Sequence, residues 1–273
     1  MMSSFKEKIF DGPYEVVEIQ ITNEGKKFRG IIYFPDKNKF KKPFPVIIYF
    51  QGFPQILPFF HIIQELKYLL NLGFAIILVY LRGYKFSEGT ISIQGQISDG
   101  LKIIDFLELM AKKSVIDNKY INILARDFGA FISLAISSKI DKINYLGILN
   151  PILDVSKHIE SKKFHETLNY INKFLPGMIH GIENVDKFIK NTIIELRDYP
   201  IQKIISHLNA KKIMVILGEK DKITPLEEFY RIFNNCNVSF IEVIIDKMEH
   251  EPAFEIEKNL IEQEFSTFFK ELI

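Results

Sequence analysis

Tryptophan is absent, cysteine occurs once, and neither sign of charge is in excess. The single thiol, Cys236, cannot close an internal disulfide and has no partner set for a zinc site, so a reducing, cytoplasmic setting is expected. Lys and Arg number 35 against 34 Asp and Glu, a net charge of +1, which removes the electrostatic case for nucleic acid or an anionic membrane as partner. No apolar run exceeds strand length, so no segment is expected to cross a bilayer. Positions 1–10, with Lys6, Glu7 and Lys8, lack the apolar stretch of a secretory leader. Repeats and low-complexity linkers are also missing. What is present is a 273-residue chain with 47% hydrophobic residues, ample for one sizeable core.

The hydrophobic pattern changes along the chain. Residues 14–22 and 28–34 flank the turn signal Asn23-Glu24-Gly25 and read as an antiparallel hairpin. After Pro43, short apolar runs at 46–50, 74–80, 120–124, 145–149, 213–217 and 238–245 read as strands covered on both faces. Helix-compatible stretches at 60–71, 97–112, 128–139, 225–233 and 252–272 lie between and after them. This alternation predicts an α/β domain: a mostly parallel central sheet with N-terminal antiparallel strands and helices on both faces. Residues 151–207 break the rhythm with helical spacing and no convincing strand. They are expected to form a helical cap inserted into a core made of 1–150 and 208–273, over the carboxyl edge of the sheet where such proteins place ligands.

Three sites at strand ends carry the chemistry. Ala125-Arg126-Asp127-Phe128-Gly129 follows a strand and opens a helix, with small residues two before and two after Asp127, the context of a nucleophile elbow. The plainer reading of Asp127 is a helix cap. Asp221 follows the strand at 213–217, and His250 follows the last strand; the order nucleophile, acid, histidine suits a catalytic triad. Asp154, after the strand at 145–149, is an alternative acid. His61, His158, His165, His180 and His207 read as surface or packing residues.

With Gln51-Gly52-Phe53-Pro54 after one strand and Arg82-Gly83-Tyr84-Lys85-Phe86-Ser87-Glu88-Gly89 after the next, five landmarks stand in the order of the α/β-hydrolase superfamily, which the chain resembles over almost its whole length. The stretch Lys42-Pro43-Phe44-Pro45-Val46 behind a β-hairpin is similar to the esterase and prolyl-oligopeptidase-like branch, which uses serine. Aspartate at the elbow, with Gly52-Phe53-Pro54, is similar to the epoxide hydrolase and dehalogenase branch, which uses Asp-His-Asp. Gln51 replaces the usual histidine of the oxyanion loop, and Ala125 replaces the first elbow glycine.

The resemblance implies a hydrolase of a small organic molecule that needs neither cofactor nor metal. Asp127 would attack an sp³ carbon, and His250, oriented by Asp221, would activate water against the resulting ester. The backbone N–H groups of Phe53 and Phe128 would hold the oxyanion. Dehalogenases of this type grip halide with tryptophan, which is missing here, whereas epoxide hydrolases protonate the ring oxygen with cap tyrosines, a role open to Tyr170 and Tyr199. Gln51 and Arg126 are further expected substrate contacts; Arg126 also has the option of pairing with Asp127. Two alternatives stay open: an esterase or peptidase in which Asp127 is not the nucleophile, and a ligand-binding protein without activity.

Overall fold

The computed structural model describes residues 8–272. The reading of positions 1–10 as lacking a leader falls largely on 1–7, outside the described residues. Nine strands form one sheet in the order β1-β2-β3-β5-β4-β6-β7-β8-β9, comprising β1 (Lys8–Asp11), β2 (Tyr14–Asn23), β3 (Lys26–Phe34), β4 (Phe44–Phe50), β5 (Ala75–Tyr80), β6 (Ile116–Arg126), β7 (Tyr145–Pro151), β8 (Lys212–Gly218) and β9 (Phe240–Ile245). The first three run antiparallel and β3 pairs antiparallel with β5; every later pairing is parallel. The expected mostly parallel α/β architecture with N-terminal antiparallel strands is therefore borne out.

Helices cover both faces, as the continuous burial of β5 (Ala75–Tyr80) requires. On one face α1 (Phe59–Asn71) and α9 (Glu255–Lys270) bury Ile63, Leu69, Phe265 and Phe269 against Ile47, Ile76 and Ile216. On the other, α2 (Ile93–Lys112), α3 (Asp127–Ser137) and α8 (Leu226–Phe233) bury Ile103, Phe131 and Phe229 with Ile48, Ile77 and Val215. Strand neighbours such as Ile47 and Ile48 thus serve opposite layers, the period-two rule applied to a sheet apolar on both sides. Among the described residues no helix is long and apolar enough to cross a membrane.

Between β7 and β8 come four helices, α4 (Val155–Ile159), α5 (Lys162–Phe174), α6 (Val185–Leu196) and α7 (Ile201–Ile205). Asp154, Ser161 and Asn184 cap the first three, each accepting a backbone N–H with its side chain. The loop between α5 and α6 is stitched to the loop after β5: Ile91 N–H donates to His180 O at 2.9 Å, and His180 N–H donates to Gly83 O at 2.7 Å. Gly83, at φ +87°, cannot carry a side chain, because a Cβ would lie 2.3 Å from the backbone nitrogen of Ile91.

Candidate active site

The chain leaves β6 at Arg126 and turns into α3 at Asp127, which holds the left-handed conformation at φ +55°. A non-glycine residue there is strained, and such strain clusters at functional turns. The neighbourhood explains the small residues. At Gly129 a Cβ would come within 2.4 Å of the carbonyl oxygens of both Phe50 and Gln51, so the backbone after β4 can cross the start of α3 only over glycine. At Gly52 a Cβ would lie 2.7 Å from the carboxyl carbon of Asp127, so the carboxylate packs against a bare Cα.

Asp221 and His250 meet this carboxylate. His250 Nδ1 lies 2.8 Å from Asp221 Oδ2, and its Nε2 lies 3.3 Å from Asp127 Oδ2. The other oxygen of Asp221 accepts the backbone N–H of Ile223 at 2.7 Å and of Thr224 at 3.1 Å, which fixes a side chain with no solvent exposure. The imidazole is 11% exposed and the Asp127 side chain 18%. Ionised carboxylates only accept hydrogen bonds, so a ring with both nitrogens on carboxylate oxygens must carry two N–H groups and a positive charge. Burial alone would push the pKa of His250 down, but the hydrogen bonds and charges of Asp127 and Asp221 outweigh it and raise it to about 9. A serine in the place of Asp127 would instead need a neutral ring to receive its proton.

Asp154, the alternative acid, is occupied elsewhere: its side chain accepts the backbone N–H of Lys157 at 3.0 Å as the cap of α4. The strand end before it contributes a different residue. Asn150, buried and at φ +41°, accepts the backbone N–H of Gly218 at 2.8 Å. Its amide donates to Glu249 O at 3.2 Å and to His250 O at 2.6 Å. One side chain thereby ties the strand that leads to Asp221 to the loop that carries His250.

The backbone N–H of Phe128 donates to Asp127 Oδ1, which brings one carboxylate oxygen to the expected oxyanion donor. Phe53 is buried, and its ring meets Phe128 at 5.7 Å, Phe164 of α5 at 5.8 Å and Phe188 of α6 at 5.7 Å between centroids. The site is therefore walled by aromatics from both the sheet edge and the inserted helices. Tyr84, in the loop after β5, closes the wall from below. It is buried, its hydroxyl donates to Gly52 O at 3.4 Å, and burial together with the charge of Asp127 raises its pKa.

Arg126, Tyr170 and Tyr199 make their contacts elsewhere. Arg126 points to the opposite face of the sheet, as the residue before Asp127 on an extended strand must. There it pairs with Glu251, and with Glu65 at 3.7 Å, in a groove of about 430 Å³ between α1 and α9 that also includes Tyr49 and Tyr68. Its hydrogen-bond and ion-pair partners are those carboxylates, while Asp127 acts on it only as a nearby charge. Tyr170 sits on the solvent side of α5, 57% exposed and tilted against Phe174 at 4.8 Å, while Leu168 and Ile171 face inward. Tyr199 lies under the Lys139 ammonium at 5.4 Å, beyond the far end of α3, about three turns from Asp127. Neither tyrosine is brought to the carboxylate. Both amide atoms of Gln51 are buried without a hydrogen-bond partner among the described residues.

The structure brings in one residue that sequence reasoning set aside as packing. His158, on α4, is partly buried, and the charges of Asp127, His250 and Asp221 all act on it. Burial lowers its pKa, against the pull of the two aspartates. No spacing signal separates it from the other histidines of the insertion. Asp127, His250 and Glu251 also place ligand-type atoms within 4.8 Å of one another, but Arg126 holds Glu251 and both ring nitrogens of His250 face carboxylates, an ion-pair arrangement more than a metal cradle.

Neither a family model nor a curated protein matches the sequence. Solved structures match the fold. Est1E from Butyrivibrio proteoclasticus superimposes with a TM-score of 0.68 at 16% identity, covering 93% of this chain and 98% of its own. Acetyl xylan esterase 1 from Thermoanaerobacterium sp. JW/SL YS485 gives 0.65 at 16% identity, over 98% and 87%. The alpha/beta hydrolase GrgF from Penicillium sp. sh18 gives 0.67 at 16% identity, over 92% and 97%. The chain thus has the α/β-hydrolase fold.

Proposed function

We propose that the protein is a hydrolase of small uncharged organic molecules, in which Asp127 is the nucleophile, His250 the water-activating base and Asp221 its orienting acid. The observation that carries this reading is the pair of contacts from one imidazole to two carboxylates, one of them on a left-handed elbow residue. Residues 151–207 act as a cap that supplies Phe164 and Phe188 to the wall.

The chemistry follows from the charges. A carboxylate already ionised attacks an sp³ carbon without a base, forming a C–O bond while the departing oxygen keeps the electron pair of the bond it leaves. Attack on an ordinary ester would give a reactive anhydride, which makes an epoxide-like carbon the better target. Esterification neutralises Asp127 and removes one of the two charges that hold the His250 pKa up, so the ring releases its extra proton. Neutral His250 then accepts a proton from water as that water attacks the ester carbonyl. The N–H groups of Phe128 and Phe53 stabilise the tetrahedral oxyanion, and its collapse frees the alcohol and restores Asp127.

A single turnover in ¹⁸O-water tests this. The first product should carry no label from solvent, and the peptide containing Asp127 should gain one ¹⁸O; an unlabelled peptide with labelled product would overturn the reading. A second reading draws on the esterases that share the fold: Asp127 would be a non-nucleophilic group on an esterase scaffold. Asp127→Ser discriminates, since gain of aryl-ester hydrolysis would support a serine-type scaffold.

A further inference from the structure

Two pairs of consecutive residues meet at the carboxyl edge of the sheet. Arg126 ends β6 and Asp127 opens α3, while His250 and Glu251 follow one another in the loop after β9. Asp127 meets His250, and Arg126 meets Glu251. The two contacts are close enough to interfere. A carboxylate oxygen of Glu251 lies within 4.8 Å of both an Asp127 oxygen and a ring nitrogen of His250. A third carboxylate therefore stands beside Asp127 and His250, and Arg126 holds it, with Nη2 donating to Glu251 Oε2.

The partners in that ion pair are unequal. The Arg126 side chain is 11% exposed and the Glu251 side chain 62%. A guanidinium is not deprotonated in proteins. The loop backbone is pinned, because the Asn150 amide donates to Glu249 O and His250 O. What can turn, once the ion pair is broken, is the Glu251 side chain. The imidazole offers it one place. Nδ1 is taken by Asp221 at 2.8 Å, which leaves Nε2, 3.3 Å from Asp127 Oδ2. An ionised Asp127 occupies that N–H. An esterified Asp127 is neutral, and a free Glu251 carboxylate would take its place and keep the ring protonated. The other titratable groups on these elements are His158 of α4, which the charge of the ring reaches, and, in the groove, Tyr49 of β4, Glu65 of α1 and Glu255, Lys258 and Glu262 of α9.

We propose that Arg126 is a positioning residue that acts through Glu251: by binding that carboxylate it reserves Nε2 of His250 for Asp127, so that the ring can shed its extra proton when Asp127 becomes an ester. The part played at the ester step rests on Asp127 as the nucleophile. With Glu251 held, esterification leaves Asp221 alone to favour the charged ring against burial, and the ring becomes a base for water. With Glu251 loose, the ring keeps two carboxylates and its proton, and the ester persists.

Asp127→Asn puts a neutral group of the same shape where the ester would be, so the test needs no substrate. Nitrogen-15 NMR follows the titration of His250 in that variant, alone and combined with Glu251→Gln, with Arg126→Gln, and with both. While Arg126 is present, Glu251→Gln should move the midpoint by less than about 0.3 pH unit. In its absence, Glu251→Gln should lower the midpoint by at least about 1 pH unit, the range of an adjacent opposite charge. Arg126→Met, apolar and of similar length, gives the same comparison should the glutamine variant not fold. An equal response to Glu251→Gln with and without Arg126 would overturn the proposal, since two charges that act separately on the ring give additive shifts. The ¹⁸O label on the Asp127 peptide tests the nucleophile itself. Non-additive shifts beside an unlabelled peptide would keep Arg126 as the guard of the ring and remove its part in ester hydrolysis.

Discussion

Arg126 and Asp127 are consecutive residues with opposite fates. Arg126 turns to the groove between α1 and α9, where its partners Glu65 and Glu251 are 57% and 62% exposed. Asp127 turns to the aromatic wall, where its partner His250 is 11% exposed. Both are ion pairs, but solvent screens the first and not the second. The difference teaches that charge matters at this sheet edge according to which face it enters. On one side a buried cation meets carboxylates that reach solvent; on the other the imidazole meets carboxylates that are 18% and 0% exposed.

The largest expected effect lies on the side of the imidazole. Asp127→Asn should lower turnover by at least about 10⁴-fold, as measured by product formation, since the proposed nucleophile is lost while the fold is kept. His250→Gln should lower turnover by about 10³-fold and, unlike the first variant, accumulate an ester on Asp127 visible by intact mass. Asn150→Ala removes the tie between the Asp221 strand and the His250 loop; the expected loss is about 1–3 kcal/mol in chemical denaturation, with a lower kcat and a nearly constant KM.

The pH dependence of stability sharpens the contrast further. The folded-state pKa of His250 is raised above the unfolded value, so the protonated ring stabilises the fold fully below pH 6.5. That stabilisation is lost as pH rises through about 9 and amounts to at most roughly 3 kcal/mol. Denaturation at pH 6 and pH 10 measures it, and Asp127→Asn should shrink it. The smallest effect belongs to the groove: Glu65→Gln, 3.7 Å from Arg126 and 57% exposed, should cost less than about 1 kcal/mol and leave turnover within about 2-fold. A large loss there would break the distinction between the two faces.

The sheet was legible because both its faces are buried, which writes each inner strand as an unbroken apolar run such as Ile76-Ile77-Leu78-Val79. Boundaries slipped where caps decide them. α2 begins at Ile93 and not at 97, because the Ser92 side chain accepts the Gly95 N–H; β6 begins at Ile116, paired with Phe44 across a bulge. Asp127, Asp221 and His250 were legible because each follows closely on the end of a strand, where position in the pattern fixes position in space. The inserted helices have no such frame. Helical spacing cannot say which face of α4, α5 or α6 meets the sheet, so it gave no means of separating Tyr170, which the structure leaves exposed, from His158, which it partly buries. Asn150 was hidden because a buried amide at a strand end has no periodicity at all.

His250 keeps its charge because an anion stands where an alcohol would leave the ring neutral. Nitrogen-15 NMR of the His250 imidazole measures that directly. Two protonated ring nitrogens at pH 7.5, titrating together near pH 9, are the predicted result. A neutral ring at that pH, with one nitrogen bare, would contradict it.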